Sequence, residues 1–173
     1  MRVFLSILLF ALALAGQSLS GRRAPSFSLP DSNQTQHDIL DYRGKWLLLN
    51  YTTSMGCPDC GPFAKLLDQV KARVANTAVL FVMLAPPENA NTAGRFIVDN
   101  KLTQPVVFDQ SQTAIAYFKA TPTRSQIDTP HLFIINPSGI IVRDYSNSGL
   151  TDFLQGKGDL AKYIQGLMTG TAK

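Results

Sequence analysis

Residues 44 to 60 read Gly44-Lys45-Trp46-Leu47-Leu48-Leu49-Asn50-Tyr51-Thr52-Thr53-Ser54-Met55-Gly56-Cys57-Pro58-Asp59-Cys60. Trp46 to Tyr51 is an apolar run broken only by Asn50. A short run without alternation is the pattern of a strand covered on both faces of a sheet. The Cys pair follows within a few residues. Behind it, Phe63, Leu66, Leu67, Val70 and Val74 recur at i, i+3, i+4, i+7 and i+11. That spacing predicts one apolar face of a helix.

Downstream, Val79 to Ala85 reads as a second buried strand, stopped by Pro86-Pro87. A helix is predicted over 91–101, with Phe96 and Ile97 inward, a short strand over 105–108, and a helix over 113–118. Residues 121–128 are polar and read as a loop. Leu132 to Ile135 predicts a strand, 136–139 a turn, and 140–142 its hairpin partner. A last helix is predicted over 159–168, with Leu160, Tyr163, Ile164 and Leu167 on one face. Upstream, Phe27-Ser28-Leu29 reads as an edge strand, and 30–36 and 41–44 as turns. This order predicts an α/β fold: a central mixed, mostly parallel sheet flanked by helices, with an N-terminal strand extension.

The 173 residues suffice for one domain with a core of its own. Apolar residues at 45% and charged residues at 16% exclude a disordered chain. The net charge of +4 is scattered, with no Lys/Arg run, so nucleic acid is not expected as a partner. Arg2, the apolar stretch Val3 to Leu14 and the small-x-small Ala13-Leu14-Ala15 have the layout of a secretory signal peptide. The cut is expected before Gly16 or a few residues later. Residues 1–20 are therefore assigned to a leader and 21–173 to the domain. The apolar stretch, about 13 residues, falls short of the ~20 of a spanning helix. The expected location is outside the cytoplasm, periplasmic in a bacterium, with no membrane insertion after cleavage.

Cys57 and Cys60 are the only cysteines. An exported pair meets oxidising conditions and can close. As a structural staple, so short a loop contributes only about 2 kcal/mol. A zinc site needs two more ligands, and His37 and His131, the only histidines, lack ligand-pair spacing. No metal and no cofactor are expected. A redox pair is the favoured reading.

The residues resemble the thioredoxin superfamily, and within it the extracytoplasmic TlpA/ResA-like thiol–disulfide oxidoreductases, which border the peroxiredoxins. Three segments carry the resemblance: 44–51, Cys57-Pro58-Asp59-Cys60, and 129–139, which reads Thr-Pro-His-Leu-Phe-Ile-Ile-Asn-Pro-Ser-Gly. It spans roughly residues 24–168. Met55-Gly56 stands where the family usually has Trp before the first Cys, the gap from Asn50 to Cys57 is one residue longer than usual, and Pro62 lies unusually close behind Cys60. Thr121-Pro122 is set aside as a decoy, because the polar residues after it make no core strand.

The resemblance implies that Cys57, at or just before a helix N-terminus, is the nucleophile, and that Cys60, one turn inside, is the shielded resolving thiol. Only a thiolate attacks a disulfide. A place at a helix N-terminus would favour that thiolate. Pro58 and Asp59 would tune it, the Asp59 charge disfavouring the thiolate and so pointing to a reductase. The resemblance also implies a cis bond between Thr129 and Pro130, with Thr129 lined up for an extended substrate strand. The implied partners are protein disulfides or dithiols, among them apocytochrome c thiols, and a membrane reductant; a monomer is expected. Asn50 is expected to make a core hydrogen bond, Tyr51 and Phe63 to pack, and Glu88 to be a solvated loop residue.

Two other readings stand beside this one. A Sco-like copper-delivery protein would use Cys57, Cys60 and His131, since soft thiolates with one imidazole suit copper. A peroxiredoxin-like peroxidase would set Thr53 and Arg124 around a peroxide-reactive Cys.

Overall fold

The computed structural model describes residues 18–84, 90–110, 112–121, 123 and 126–172. Residues 1–17, most of the leader expected from the sequence, and Pro86, Pro87, Glu88, Pro122 and Arg124 lie outside the described residues.

The apolar run forms β3 (Trp46–Thr52), and it lies at the centre of a five-stranded sheet. Around it stand β4 (Thr77–Leu84), β5 (Val106–Asp109), β6 (His131–Ile135) and β7 (Ile141–Tyr145), in the order β5-β4-β3-β6-β7. β4 pairs parallel with β3 and β5, while β6 pairs antiparallel with β3 and β7. The sheet is thus mixed: β3, β4, β5 and β7 run in one direction and β6 alone is reversed, because the last two strands form a hairpin. A small separate hairpin of β1 (Ser28–Pro30) and β2 (Gln36–Asp38) precedes it, followed by a 3-10 turn at Ile39–Tyr42.

Alternation along β3 divides the core. Leu48 faces a layer built by α1 (Cys60–Arg73), α2 (Ala90–Asn100), α4 (Asn147–Leu154) and α5 (Leu160–Thr169). Phe63, Leu67 and Phe81 are fully buried there, and each such side chain contributes about 1.5–3 kcal/mol of transfer free energy. Leu47, Leu49 and Tyr51 face the other side, covered by α3 (Gln112–Phe118), Leu29 and Ile39.

The segment before β1 lies along β7. Gly21 N–H donates to the Ile141 carbonyl at 2.7 Å, and Arg23 bridges Ile140 antiparallel. Leu19 is only 5% exposed within the second core layer. Ser18 and Leu19 thus already contact the domain, ahead of the boundary at residue 21 expected from the sequence. The antiparallel course brings residue 18 to the end of β7 nearest the start of β6, the end of the sheet from which β3 leads into the Cys turn.

Candidate redox site

β3 ends at Thr52, and the chain turns over the sheet's end through Ser54, Met55 and Gly56. Gly56 has φ +67°, a left-handed conformation that glycine adopts at no steric cost. Cys57 follows, and its sulfur is bonded to that of Cys60 at 2.04 Å. Cys57 is partly exposed, whereas Cys60 is completely buried. Cys60 is the first residue of α1, with Asp59 as its N-cap residue. Cys57 thus lies in the turn before the helix, and Cys60 at its start rather than one turn inside. Pro62 falls within the first helical turn, where a missing N–H leaves no bond unmade, so it introduces no kink. Gly61 lets α1 approach α2 closely: a Cβ there would stand 2.5 Å from Asn100 Oδ1.

The Asp59 carboxylate makes no cap hydrogen bond to its own helix. Its nearest donor is Asn147 Nδ2 at 3.5 Å, from the first residue of α4. Asn147 also donates its backbone N–H to Asp128 at 3.1 Å. Pro58 is exposed beside the pair, and Met55, also exposed, borders it.

Across from the turn, the Thr129–Pro130 peptide is cis, and Pro130 is buried. The Thr129 carbonyl oxygen stands 3.4 Å from Cys57 Sγ. A disulfide sulfur has no proton to donate, so this is a contact in the oxidised form. A reduced Cys57 thiol has one to give. Cys57, Cys60, Pro58, Asp59, Thr129 and Pro130 are therefore assembled at one end of the sheet.

Other candidates fare differently. Asn50 is fully buried, and neither amide atom has a hydrogen-bond partner, contrary to the core bond expected of it. Tyr51 packs among Tyr117, Phe118 and Phe133, and burial pushes its hydroxyl well above the usual value, which rules it out as a base. His131 is nine-tenths buried, and its Nε2 donates to Asp144 Oδ1 at 2.7 Å. Its ring meets Phe118 edge-on and lies tilted against Phe133, in the layer opposite the one that α1 covers. Among the described residues, no group of three or more His, Cys, Asp or Glu is placed to hold a metal ion. The copper reading thus lacks a ligand set there. Thr53 Oγ1 stands 3.4 Å from both the Met55 backbone N–H and its carbonyl, and Arg124, the other residue of the peroxidase reading, lies outside the described residues.

A mixed sheet between helical layers, a Cys-x-x-Cys disulfide at the start of the first long helix and a cis-proline turn facing it define a thioredoxin-fold domain with a candidate redox centre. Residues 20–144 match the model of the AhpC/TSA family, and the chain belongs to that family. Among characterised proteins, it is 26% identical over 123 residues to the thiol-disulfide oxidoreductase ResA of Bacillus subtilis (strain 168), covering 71% of this chain and 65% of that relative's length. Among solved structures, it resembles a putative thiol:disulfide interchange protein DsbE from Chlorobium tepidum, with a TM-score of 0.64, 18% identity and coverage of 82% of this chain and 100% of that one. It also resembles the peroxidoxin BcpB from Mycobacterium tuberculosis, with a TM-score of 0.64, 17% identity and coverage of 82% and 94%. These two likenesses bear on the fold. No helix among the described residues is long and apolar enough to cross a membrane.

Proposed function

We propose that this protein is an exported thiol–disulfide oxidoreductase that works as a reductase. The observation that carries the reading is the unequal pair: a partly exposed Cys57 bonded to a fully buried Cys60. Such a pair presents one sulfur to a partner and keeps the other for the second step.

In the reducing direction the Cys57 thiolate attacks a substrate disulfide. A Cys57–substrate bond forms, the substrate S–S bond breaks, and the departing substrate sulfur takes a proton. The Cys60 thiolate then attacks Cys57 Sγ, closing the Cys57–Cys60 bond and releasing the second substrate thiol. Two electrons pass to the substrate. A dithiol donor, for which a membrane reductant is the natural candidate, returns them. Asp59 supports this direction, because a carboxylate beside Cys57 disfavours a stable thiolate. The ResA likeness supports the class of activity. Thr129 and Pro130 would offer the substrate an edge of backbone beside the reacting sulfur.

Export rests on the leader. The packing of Leu19 favours a cut before Ser18, which agrees with the Ala15/Gly16 junction. N-terminal sequencing of the secreted protein tests this, and a mature chain beginning after Leu19 would overturn it.

The midpoint potential of the Cys57–Cys60 pair, measured in glutathione or dithiothreitol buffers, tests the activity. A reversible value near about −270 mV, that of thioredoxin, supports a reductase. A value near about −120 mV reverses the direction. A pair that never cycles overturns the reading.

A further inference from the structure

Asp144 on β7 gathers three hydrogen bonds at the end of the fold that carries the Cys turn. It accepts from His131 Nε2 at 2.7 Å, from the Leu19 backbone N–H at 2.7 Å and from the Ser18 hydroxyl at 3.1 Å. The His131 and Asp144 side chains are only 11% and 12% exposed. Burial raises the Asp144 carboxyl, but these hydrogen bonds outweigh it and hold the group below its ordinary value, so it is a carboxylate at neutral pH. The carboxylate fixes a proton on His131 Nε2.

The His131 ring is held on three sides. Asp144 takes its Nε2, Phe118 meets it edge-on with centroids 4.9 Å apart, and Phe133 lies 4.7 Å away. Rotation of the ring would break the hydrogen bond and open two aromatic contacts. His131 follows Pro130 in the chain, and the Thr129 carbonyl just before it is the group that stands against Cys57. The backbone that presents this carbonyl is therefore anchored two residues away by a locked side chain.

We propose that the His131–Asp144 pair is a positioning device that holds the Thr129 carbonyl over Cys57 and thereby sets the balance between the thiol, thiolate and disulfide forms. The inference rests on the exchange reading of the Cys pair. When a dithiol donor reduces the pair, two electrons and two protons enter, the S–S bond breaks and Cys57 gains a proton. Its S–H can then donate to the Thr129 oxygen. That bond favours the neutral thiol over the thiolate, and the dithiol over the disulfide. His131 touches no reacting atom in this scheme and acts only through the backbone.

The test uses the full chain with His131→Phe, which keeps a ring between Phe118 and Phe133 but cannot donate to Asp144. His131→Gln, which keeps a side-chain N–H, serves as the conservative variant. Because Cys60 is buried, iodoacetamide on the reduced protein reports Cys57. For His131→Phe, the alkylation rate at neutral pH should rise about threefold, and the exchange equilibrium should move about threefold towards disulfide, a shift of about 14 mV to more negative potential. His131→Gln should return both towards wild type. A folded His131→Phe protein with wild-type alkylation and potential overturns the proposal. If that variant does not fold, Asp144→Ala leaves the imidazole in place without its anchor and must give the same shifts. A wild-type pair that never cycles defeats the exchange reading instead, and the alkylation comparison still decides the positioning role.

Discussion

Asn147 Nδ2 stands 3.5 Å from Asp59 Oδ2, joining the first residue of α4 to the residue that precedes α1. The Asp59 carboxylate is thus turned towards an amide, away from its own helix. Its charge remains within the Cys57-Pro58-Asp59-Cys60 turn. Replacing Asp59 with Asn removes that charge at nearly constant shape. The thiolate fraction of Cys57 at neutral pH should then rise about threefold, the effect of a like charge near a thiol partly screened by solvent. Iodoacetamide alkylation of the reduced protein measures it. An unchanged or slower rate would show that Asp59 does not tune the pair.

The unequal burial of the two sulfurs predicts unequal mutants. With Cys60→Ser, the resolving step is lost, and Cys57 should accumulate as a mixed disulfide with glutathione, visible by mass spectrometry. With Cys57→Ser, Cys60 is sealed in and should form almost none under the same conditions, because access limits exchange. Equal trapping by both variants would mean that α1 opens far enough to expose Cys60.

Much of this site is legible in the sequence because its parts are local or strongly patterned. The strand at 46–52, the Cys turn and the helix behind it follow one another without interruption, and burial on both faces makes β3 an apolar run broken only by Asn50 before it ends at Thr52. What the pattern hides are contacts across the fold. α4 begins Asn147-Ser148-Gly149, residues that favour turns, so only Leu150, Phe153 and Leu154 betray it at i, i+3 and i+4. Its Gly149 lies tight against Tyr145, where a Cβ would meet the ring at 3.1 Å. Asp144 carries no sequence signal at all. It reaches His131 because they are diagonal neighbours on one face of the β6–β7 hairpin, and a register shift between Ile134 and Ile135 obscures that pairing.

The same hub should appear in the acid limb of stability. Asp144 titrates below its ordinary 3.8 in the folded protein. A carboxyl lowered by folding adds stability that is present above its unfolded value and lost as pH falls through the folded one. Melting temperature should therefore hold steady down to about pH 4 and drop below it. Asp31, lowered by its hydrogen bond to His37, and Asp159, lowered by its bond to Arg73, act in the same window. Asp159 is solvent-exposed and contributes weakly, while Asp31 is partly buried beside His37. Asp144→Asn should flatten part of the limb in thermal melts between pH 7 and 3. An acid limb as steep as that of wild type would remove Asp144 as a source of it.

Asn50 gives the sharpest test of what occupies the interior beneath the Cys turn. By alternation it shares the α1 face of β3 with Leu48, it is completely buried, and neither Nδ2 nor Oδ1 has a partner. Thr52, the next residue on that face, has a buried hydroxyl that is likewise unpartnered. An unpartnered buried amide costs roughly 1–3 kcal/mol. Asn50→Val removes that cost and places a β-branched side chain in a central strand, where such residues pack well. Stability in urea should therefore increase by about 1 kcal/mol, less than the full penalty because the new side chain must fit space shaped for an amide. A loss of stability instead would mean that the amide is satisfied in solution, as by an internal water shared with Thr52. The exchange rate measured on the same variant then separates two roles for Asn50. Higher stability with slower exchange marks a residue kept for the redox step, and higher stability with unchanged exchange marks an imperfect core.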